Sequence, residues 1–357
     1  MKLLSIIVPA YNMEAYLAQC VESILRTPSL AAVEIVVVND GSKDKTLRIA
    51  KEYAERYTDT VRIIDKPNGN YGSTINAALP IVRGEYVKIL DADDRFESSH
   101  VAEFLSFLNK MRGADMIITP FIESDGHKEH RVDYNLYSRK IYEYGKVYDA
   151  DKIFSEGVIR FFMMHGVCYR TEMLREMHYH QSEGISYTDQ EWVFYPLFRV
   201  KSIIFADIPL YCYNTAREGQ TMDTQVQIRS ISQLVTVTET IAQYFMENSD
   251  SLDLESRRAF LRNIVADRAR IIYRKYLLVM PNHLFAASNF SEVDARITTL
   301  LSQCGIDELC VPVNNLLKID LLARWRKKSR RYGFIRGFLL WADKLMSRVH
   351  ATLFRRK

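Results

Sequence analysis

The chain has 357 residues, of which 48% are hydrophobic and 26% charged. This is ordinary globular composition, so an extended disordered chain and a fibrous repeat are excluded. Its five cysteines, Cys20, Cys168, Cys212, Cys304 and Cys310, are odd in number and form no C-x-x-C pair, which argues against a disulfide framework or a zinc site. The formal net charge of +4 conceals an asymmetry. Residues 324–357 hold twelve Lys and Arg against one acid, Asp343, whereas the rest of the chain holds 36 basic and 43 acidic residues.

The N-terminal run Met1-Lys2-Leu3-Leu4-Ser5-Ile6-Ile7-Val8-Pro9 carries a strand pattern at Ser5–Pro9 and no cleavage site of the signal-peptide kind, so folded chain in the cytoplasm is expected. The longest uninterrupted apolar runs, such as Ile35 to Val38, are strand-sized, against about 18 residues for a membrane span. Asn12 is placed to cap a helix with Met13, Leu17, Val21 and Ile24 on one face. The β-branched run Glu34–Val38 reads as a strand buried on both faces, followed by a turn at Asp40-Gly41-Ser42. A helix with Leu47, Ala50, Ala54 and Tyr57, a strand at Val61–Asp65 and a helix over Ser73–Val82 come next. Then follow a strand at Glu85–Leu90, a helix capped by Ser98 or Ser99, and a strand at Asp115–Thr119.

Strands alternating with helices imply an α/β fold with a mostly parallel sheet covered on both faces. From 120 to 220 the regularity is lost, and 226–280 turns helical, with Ile228, Leu234, Val237, Ile241 and Phe245 in one stripe and Phe260, Ile264 and Ile271 in another. The expected division is a sheet domain at 1–220, whose pattern changes near 120, a helical extension at 221–323 and a basic tail at 324–357.

In such sheets ligands bind beyond the carboxyl ends of the strands. Three loops meet that condition: Pro9-Ala10-Tyr11-Asn12, Asn39-Asp40-Gly41-Ser42-Lys43-Asp44 and Asp91-Ala92-Asp93-Asp94. Asn12 and Asp40 also suit plain helix caps, and one Asp-x-Asp is weak evidence alone. Together, however, these acids repel one another unless a cation binds. Asp91 and Asp93 are spaced to share a hard ion such as Mg²⁺ or Mn²⁺ with a substrate diphosphate.

The runs Ser5–Asn12, Val38-Asn39-Asp40-Gly41-Ser42-Lys43-Asp44-Lys45-Thr46, Arg83-Gly84-Glu85-Tyr86 and Leu90–Asp94, in that order and spacing, resemble the family 2 glycosyltransferases of GT-A (Rossmann-like) fold. The resemblance covers roughly residues 3–220 and implies that 1–220 is the catalytic domain, with a nucleotide-sugar half at about 1–120 and an acceptor half at about 120–220. It implies an inverting transfer from a nucleotide-diphosphate sugar, usually UDP-linked, to a hydroxyl acceptor. It also implies that Pro9, Ala10 and Tyr11 line the nucleoside pocket and that Asp40 accepts from the base edge. Asp91 would touch the ribose, or the metal through water, and Asp93 would ligate the metal, with Ala92 between them. The segment Asn68–Asn76, with Tyr71, Gly72 and Asn76, looks like the one that closes over the nucleotide. Many members have Arg where this chain has Ile75.

An inverting transferase needs a carboxylate to take the acceptor proton. Ser186-Tyr187-Thr188-Asp189-Gln190-Glu191-Trp192 resembles the family's Glu-Asp motif, which makes Asp189 the base and puts Thr188 in place of the usual Glu. Glu191 lies within the same helical turn, and Asp189 also suits a plain helix N-terminus. The segment Arg217–Thr221 resembles a loop that approaches the diphosphate in some relatives. An Arg there would neutralise phosphate charge, and a solvated Arg is equally compatible. His165 reads as structural or acceptor-facing, His178 and His180 as surface, and the Tyr-rich stretch Tyr134–Tyr148 as packing or sugar stacking.

Finally, Arg324–Arg331 is a dense basic run, followed by a helical pattern with Phe334, Phe338, Leu345, Val349 and Leu353 on one side, flanked by Trp325 and Trp341. This describes a helix lying in an anionic membrane surface or docked on protein. The expectation is a peripheral enzyme at the inner face of the cell membrane, with a polyprenyl-diphosphate-linked saccharide as acceptor. A protein or soluble acceptor, or nucleotide-sugar binding without turnover, are the alternatives.

Overall fold

Four parallel strands order the N-terminal half: β1 (Lys2–Ala10), β2 (Val33–Asp40), β3 (Val61–Lys66) and β4 (Gly84–Ile89), in the spatial order β3-β2-β1-β4. All eight residues of β2 are buried, as the apolar run requires of a strand covered on both faces. Helices α1 (Leu17–Leu25), α2 (Thr46–Arg56) and α3 (Asn70–Ala78) make the connections. The computed structural model describes residues 2–134, 142–217, 224–307, 311–314, 320–327 and 336–337. They fall into two units, Met1–Gln220 with Asp250–Leu261, and Thr221–Ser249 with Arg262–Lys357.

A buried acid pins the first sheet. Glu34 Oε2 accepts from Ser5 Oγ (2.6 Å) and the Arg83 N–H (2.7 Å), and its Oε1 accepts from Arg62 (2.9 Å) and Arg83 Nε (2.6 Å). Burial alone would push this carboxyl up, but the four donors outweigh it and hold it below the usual range. One side chain in β2 thus ties together β1, β3 and the turn into β4.

The remaining strands of the first unit are β5 (Arg95–Phe96), β6 (Met116–Ile118), β7 (Phe121–Ser124), β8 (Glu129–Val132), β9 (Val147–Asp149), β10 (Val167–Arg170), β11 (Ser202–Phe205) and β12 (Tyr211–Asn214). Among them lie α4 (Ser98–Lys110), α5 (Ala150–Glu156), α6 (Thr171–Glu176) and α7 (Asp189–Phe194). The large sheet runs β3-β2-β1-β4-β10-β6-β11-β9, with β10 antiparallel to both its neighbours. A small sheet, β5-β12-β7-β8, brings Tyr211–Asn214 beside the segment that follows the Asp91–Asp94 turn.

Several boundaries differ from expectation. Asn12 caps nothing: it sits at φ +55° before α1, whose N-cap is Tyr16, and its side chain serves the neighbouring loop. Helix α3 begins at Asn70 rather than Ser73, and α4 is preceded by Glu97 without a side-chain cap. In the Tyr-rich stretch, Tyr142 stacks on Phe205 with ring centroids 4.6 Å apart, which is core packing, and 135–141 lie outside the described residues. Four of the cysteines are free and buried, and Cys310 lies outside the described residues.

In the second unit, α8 (Ile231–Asn248) buries Leu234, Val237, Ile241 and Phe245 and packs against α10 (Phe290–Gln303). Helix α9 (Glu255–Arg274) has residues in both units; it buries the expected Phe260 and Ile264, but Ile272 rather than the expected Ile271. The short helix α11 (Leu321–Arg326) follows. The basic segment is partly turned inward. Arg326 donates to Asp294, Tyr273 Oη and Thr298, and the Trp325 ring lies 4.5 Å from Phe290. Arg336, 1% exposed, caps the carbonyls of Tyr276, Leu277 and Met280. At these three positions the tail docks on protein. The expected amphipathic face, Phe334 and Phe338–Leu353, lies outside the described residues. Among the described residues no helix is long and apolar enough to cross a membrane.

Candidate functional site

Past the end of β4 the chain turns tightly, with the Asp94 N–H donating to the Asp91 carbonyl (2.9 Å). The turn gathers Asp91, Asp93 and Asp94 so that one oxygen of each lies within 4.8 Å of the others. Each acid has a distinct protein partner. Asp91 Oδ1 accepts from the Tyr71 hydroxyl at 2.9 Å, and Asp93 Oδ2 accepts from Arg217 Nε at 2.5 Å. Asp94 is spent on the fold: its Oδ2 accepts from the Tyr211 hydroxyl (2.5 Å) and its Oδ1 from the Asn214 N–H (2.7 Å), anchoring the turn to β12.

Burial, and then the Asp93 charge, push Asp91 up to about 7 against the opposing pull of Tyr71 and Arg217. Burial and the same neighbouring charges push Asp94 up as well. Three hard oxygen donors in this space, with Asp91 and Asp94 disfavoured as bare anions, suit Mg²⁺ or Mn²⁺. Asp91 and Asp93 would hold such an ion.

Asp189 joins this cluster from 95 residues and more along the chain. It opens α7, and its charge raises both the Asp91 carboxyl and the Tyr71 hydroxyl, after burial and closer acids have acted. Glu191 behaves differently. It is fully buried, its Oε2 accepts from the Ser182 N–H at 2.7 Å, and burial lifts its carboxyl above the usual range. The two acids of the motif are therefore separated by environment, Asp189 towards the acid cluster and Glu191 into the protein. Tyr187, just ahead, is held at φ +69°, a conformation costing about 1–3 kcal/mol in a non-glycine residue and common beside functional groups.

Helix α3 straps the loop that delivers Asp189. Asn76 Nδ2 donates to the Gln181 carbonyl (2.9 Å) and Glu183 Oε1 (2.8 Å), while its Oδ1 accepts from the Gln181 N–H (2.8 Å). Gly72 lies against the same segment, since a Cβ there would sit 2.0 Å from the Ser182 carbonyl oxygen. Asn76 and Gly72, expected at the nucleotide, therefore face residues 181–183.

At the other end of the rim, the β1–α1 loop is laced to the β2–α2 loop. The Asn12 N–H donates to Ser42 Oγ (3.0 Å), and Asn12 Oδ1 accepts from the Lys43 N–H (2.8 Å). Pro9 and Ala10 end β1 next to Val38 and Asn39, and Tyr11 projects with 46% of its surface exposed. Asp40, almost fully buried, accepts at Oδ1 from Lys66 Nζ (2.9 Å) and the Gly69 N–H (2.9 Å). Ala92 and Ile75 are buried.

Sequence reasoning missed Lys66, Ser73, Tyr211 and Asn214. Only the strand register, which sets Asp40 opposite Lys66, would have flagged the first. His165 is buried, stacked on Tyr213 (4.5 Å) and edge-on to Tyr211 (4.8 Å). Of the Arg217 loop, 218–221 lie outside the described residues.

Residues 5–177 match the sequence model described as Glycosyl transferase family 2. That span, just under half of the chain, is a family 2 glycosyltransferase region. Among relatives, the minor teichoic acid biosynthesis protein GgaB of Bacillus subtilis (strain 168) is 32% identical over 145 residues, 40% of this chain and 16% of GgaB. The uncharacterized glycosyltransferase RP339 of Rickettsia prowazekii (strain Madrid E) is 30% identical over 208 residues, 57% of this chain and 61% of RP339. The chain thus spans less than two thirds of these relatives. Its fold is similar to that of TarS 1-349 from S. aureus, crystallised with UDP-GlcNAc, at a TM-score of 0.51 and 19% identity over 86% of this chain and 93% of that one.

Proposed function

We propose that the chain is an inverting, metal-dependent glycosyltransferase that moves a sugar from a nucleotide-diphosphate sugar, UDP-linked, to a hydroxyl. The observation that carries this reading is the convergence of Asp189 on the Asp91–Asp93–Arg217 cluster, in a chain with a family 2 region. A divalent cation held by Asp91 and Asp93 would neutralise charge on the departing diphosphate, so no general acid is needed. Arg217 supplies a second positive charge on the same side.

The Asp189 carboxylate takes the acceptor's hydroxyl proton as the new oxygen–carbon bond forms at the anomeric carbon. The bond from that carbon to the diphosphate oxygen breaks on the opposite face, and its electron pair leaves with the nucleoside diphosphate. Glu191 positions the loop rather than touching the acceptor. Pro9, Ala10, Tyr11 and Asp40 form the nucleoside end. The UDP assignment follows the family resemblance and agrees with the UDP-GlcNAc held by TarS.

For the acceptor we propose a saccharide on a polyprenyl-diphosphate carrier in surface polysaccharide synthesis, a reading supported by the teichoic acid role in the name of GgaB. The catalytic part is residues 1–220. Residues 221–323 form a helical extension, and the tail at 324–357 holds the enzyme at the inner face of the membrane.

The test is a panel of nucleotide sugars with Mn²⁺ or Mg²⁺, scored for released nucleoside diphosphate with and without lipid-linked acceptor. Metal-dependent release from one UDP-sugar, abolished in Asp93→Ala, is expected. Asp189→Asn should retain UDP binding but lose transfer by about 10²–10⁴-fold. A chain that binds no nucleotide would sink the proposal, and full activity in Asp189→Asn would remove Asp189 as the base.

A further inference from the structure

Resting on the nucleotide reading above, we infer that Lys66 is a positioning residue for base recognition: it fixes Asp40 as a charge-paired, acceptor-only carboxylate and so selects uracil over cytosine. The two residues sit side by side at the carboxyl ends of β2 and β3. Lys66 Nζ donates to Asp40 Oδ1 (2.9 Å), to Ser73 Oγ (2.7 Å) and to the Pro67 carbonyl (2.8 Å). An ammonium has three protons, and all three are engaged here. Ser73 sends its own proton to the Asn70 carbonyl (2.6 Å), so its oxygen faces Lys66 as an acceptor.

Lys66 therefore has nothing left to give a ligand, and its work passes through Asp40. Oδ1 of Asp40 receives both Lys66 and the Gly69 N–H, while Asn68 Nδ2 holds the Asp40 carbonyl at 2.9 Å. Two donors on one oxygen fix the rotation of the carboxylate and leave Oδ2 to meet a base. The cage has no slack, because a Cβ on Gly69 would come within 2.7 Å of Ser73 Oγ and 3.1 Å of Lys66 Nζ.

A carboxylate oxygen only accepts. Uracil offers an N–H at ring position 3, whereas cytosine offers a lone pair there that would face the carboxylate. A site built to hydrogen-bond a donor rejects the analogue lacking it, because the buried acceptor is left unpaired. Without Lys66 the carboxylate loses its counter-charge and one of the two donors that fix its rotation, and the discrimination should fall.

The experiment is calorimetric titration of the full chain, with Mg²⁺, against UDP and CDP. The wild type should prefer UDP by about 100-fold or more. Lys66→Met should lose at least about tenfold in UDP affinity and bring the two nucleotides within about tenfold of each other. Ser73→Ala, which keeps the ammonium and its contact with Asp40, should preserve the preference. Should Lys66→Met not fold, Lys66→Gln retains one donor to Asp40 and should show a smaller loss of preference. An unchanged UDP:CDP ratio in the folded variant overturns the inference and leaves Lys66 a structural ion pair. A wild type that binds both nucleotides equally overturns it too, with the nucleotide reading intact, whereas one that binds neither brings down both.

Discussion

Arg217 places its Nε 2.5 Å from Asp93 Oδ2, on one of the two acids proposed to hold the metal. Three acids share a small volume, and this guanidinium is a cation already seated among them. A metal ion held by Asp93 would compete with it for that carboxylate, and the released guanidinium would be free to pair with the diphosphate. The contact therefore opposes metal alone and favours metal arriving with donor. Arg217→Gln is expected to bind Mn²⁺ alone about 3- to 10-fold more tightly, a change of about 1 kcal/mol. The same variant should bind UDP in the presence of Mn²⁺ more weakly. Titration of Mn²⁺ with and without UDP reads both. If the two affinities fall together, Arg217 merely braces its loop. Sequence alone offered Arg217 and Asp93 as separate candidates for one ligand. Their pairing depends on β12 lying beside β5, a contact between segments more than a hundred residues apart with no local signature. The choice between Asp189 and Glu191 was equally illegible, because the two share a helical turn and only burial separates them.

Elements built from local patterns were easier to read than those built from distant partners. The parallel strands of the first sheet announced themselves by apolar runs, and their ends carried the acids to one rim. Strand β10, by contrast, is four residues long and antiparallel between two longer-range neighbours, so no periodicity marks it. The segment of α3 was found by its glycines, but its task was not, since its partner comes about 105 residues later. The strap explains why Gly72 admits no side chain. A Cβ 2.0 Å from the Ser182 oxygen must push the 181–184 loop away, and that loop leads directly to Asp189. Gly72→Ala should cost about 1–3 kcal/mol of stability, the range for overpacking a tight contact. It should also lower turnover more than donor affinity, because the displaced group is the proposed base. Thermal unfolding together with kcat and KM would check this. Lost stability with unchanged turnover would show that the strap does not position Asp189.

Behind the acid cluster, the first unit buries two groups that titrate in opposite senses to the acids. Burial draws Lys88 down to about 8, with its ammonium held by the carbonyls of His165 (2.6 Å) and Val167 (3.0 Å). Burial, and then the Lys88 charge, hold His165 down to about 3. An unfolded histidine titrates near 6.5. Between there and about 3, the unfolded chain takes up a proton that the folded chain refuses, so this group's contribution to stability is lost as pH falls. Asp91 runs the other way. Its raised value lets the folded chain take a proton first, so its charge burden is relieved as pH falls below about 7. The wild-type profile therefore mixes opposing slopes, and a difference is needed to isolate one of them. His165→Phe keeps a ring stacked among Phe121, Tyr211 and Tyr213 and removes the titrating nitrogens. Its Nδ1 is buried without a hydrogen-bond partner among the described residues, so little polar contact is lost there. As pH falls from about 6.5 to 5, the stability of His165→Phe relative to wild type should rise, with a slope that approaches about 1.4 kcal/mol per pH unit. Urea denaturation of both proteins across that window measures it. Glu34 and other carboxyls held low by their partners lose their contribution only at lower pH. Parallel profiles for the two proteins would mean that His165 is protonated in the folded chain, with its ring open to water or to a counter-charge.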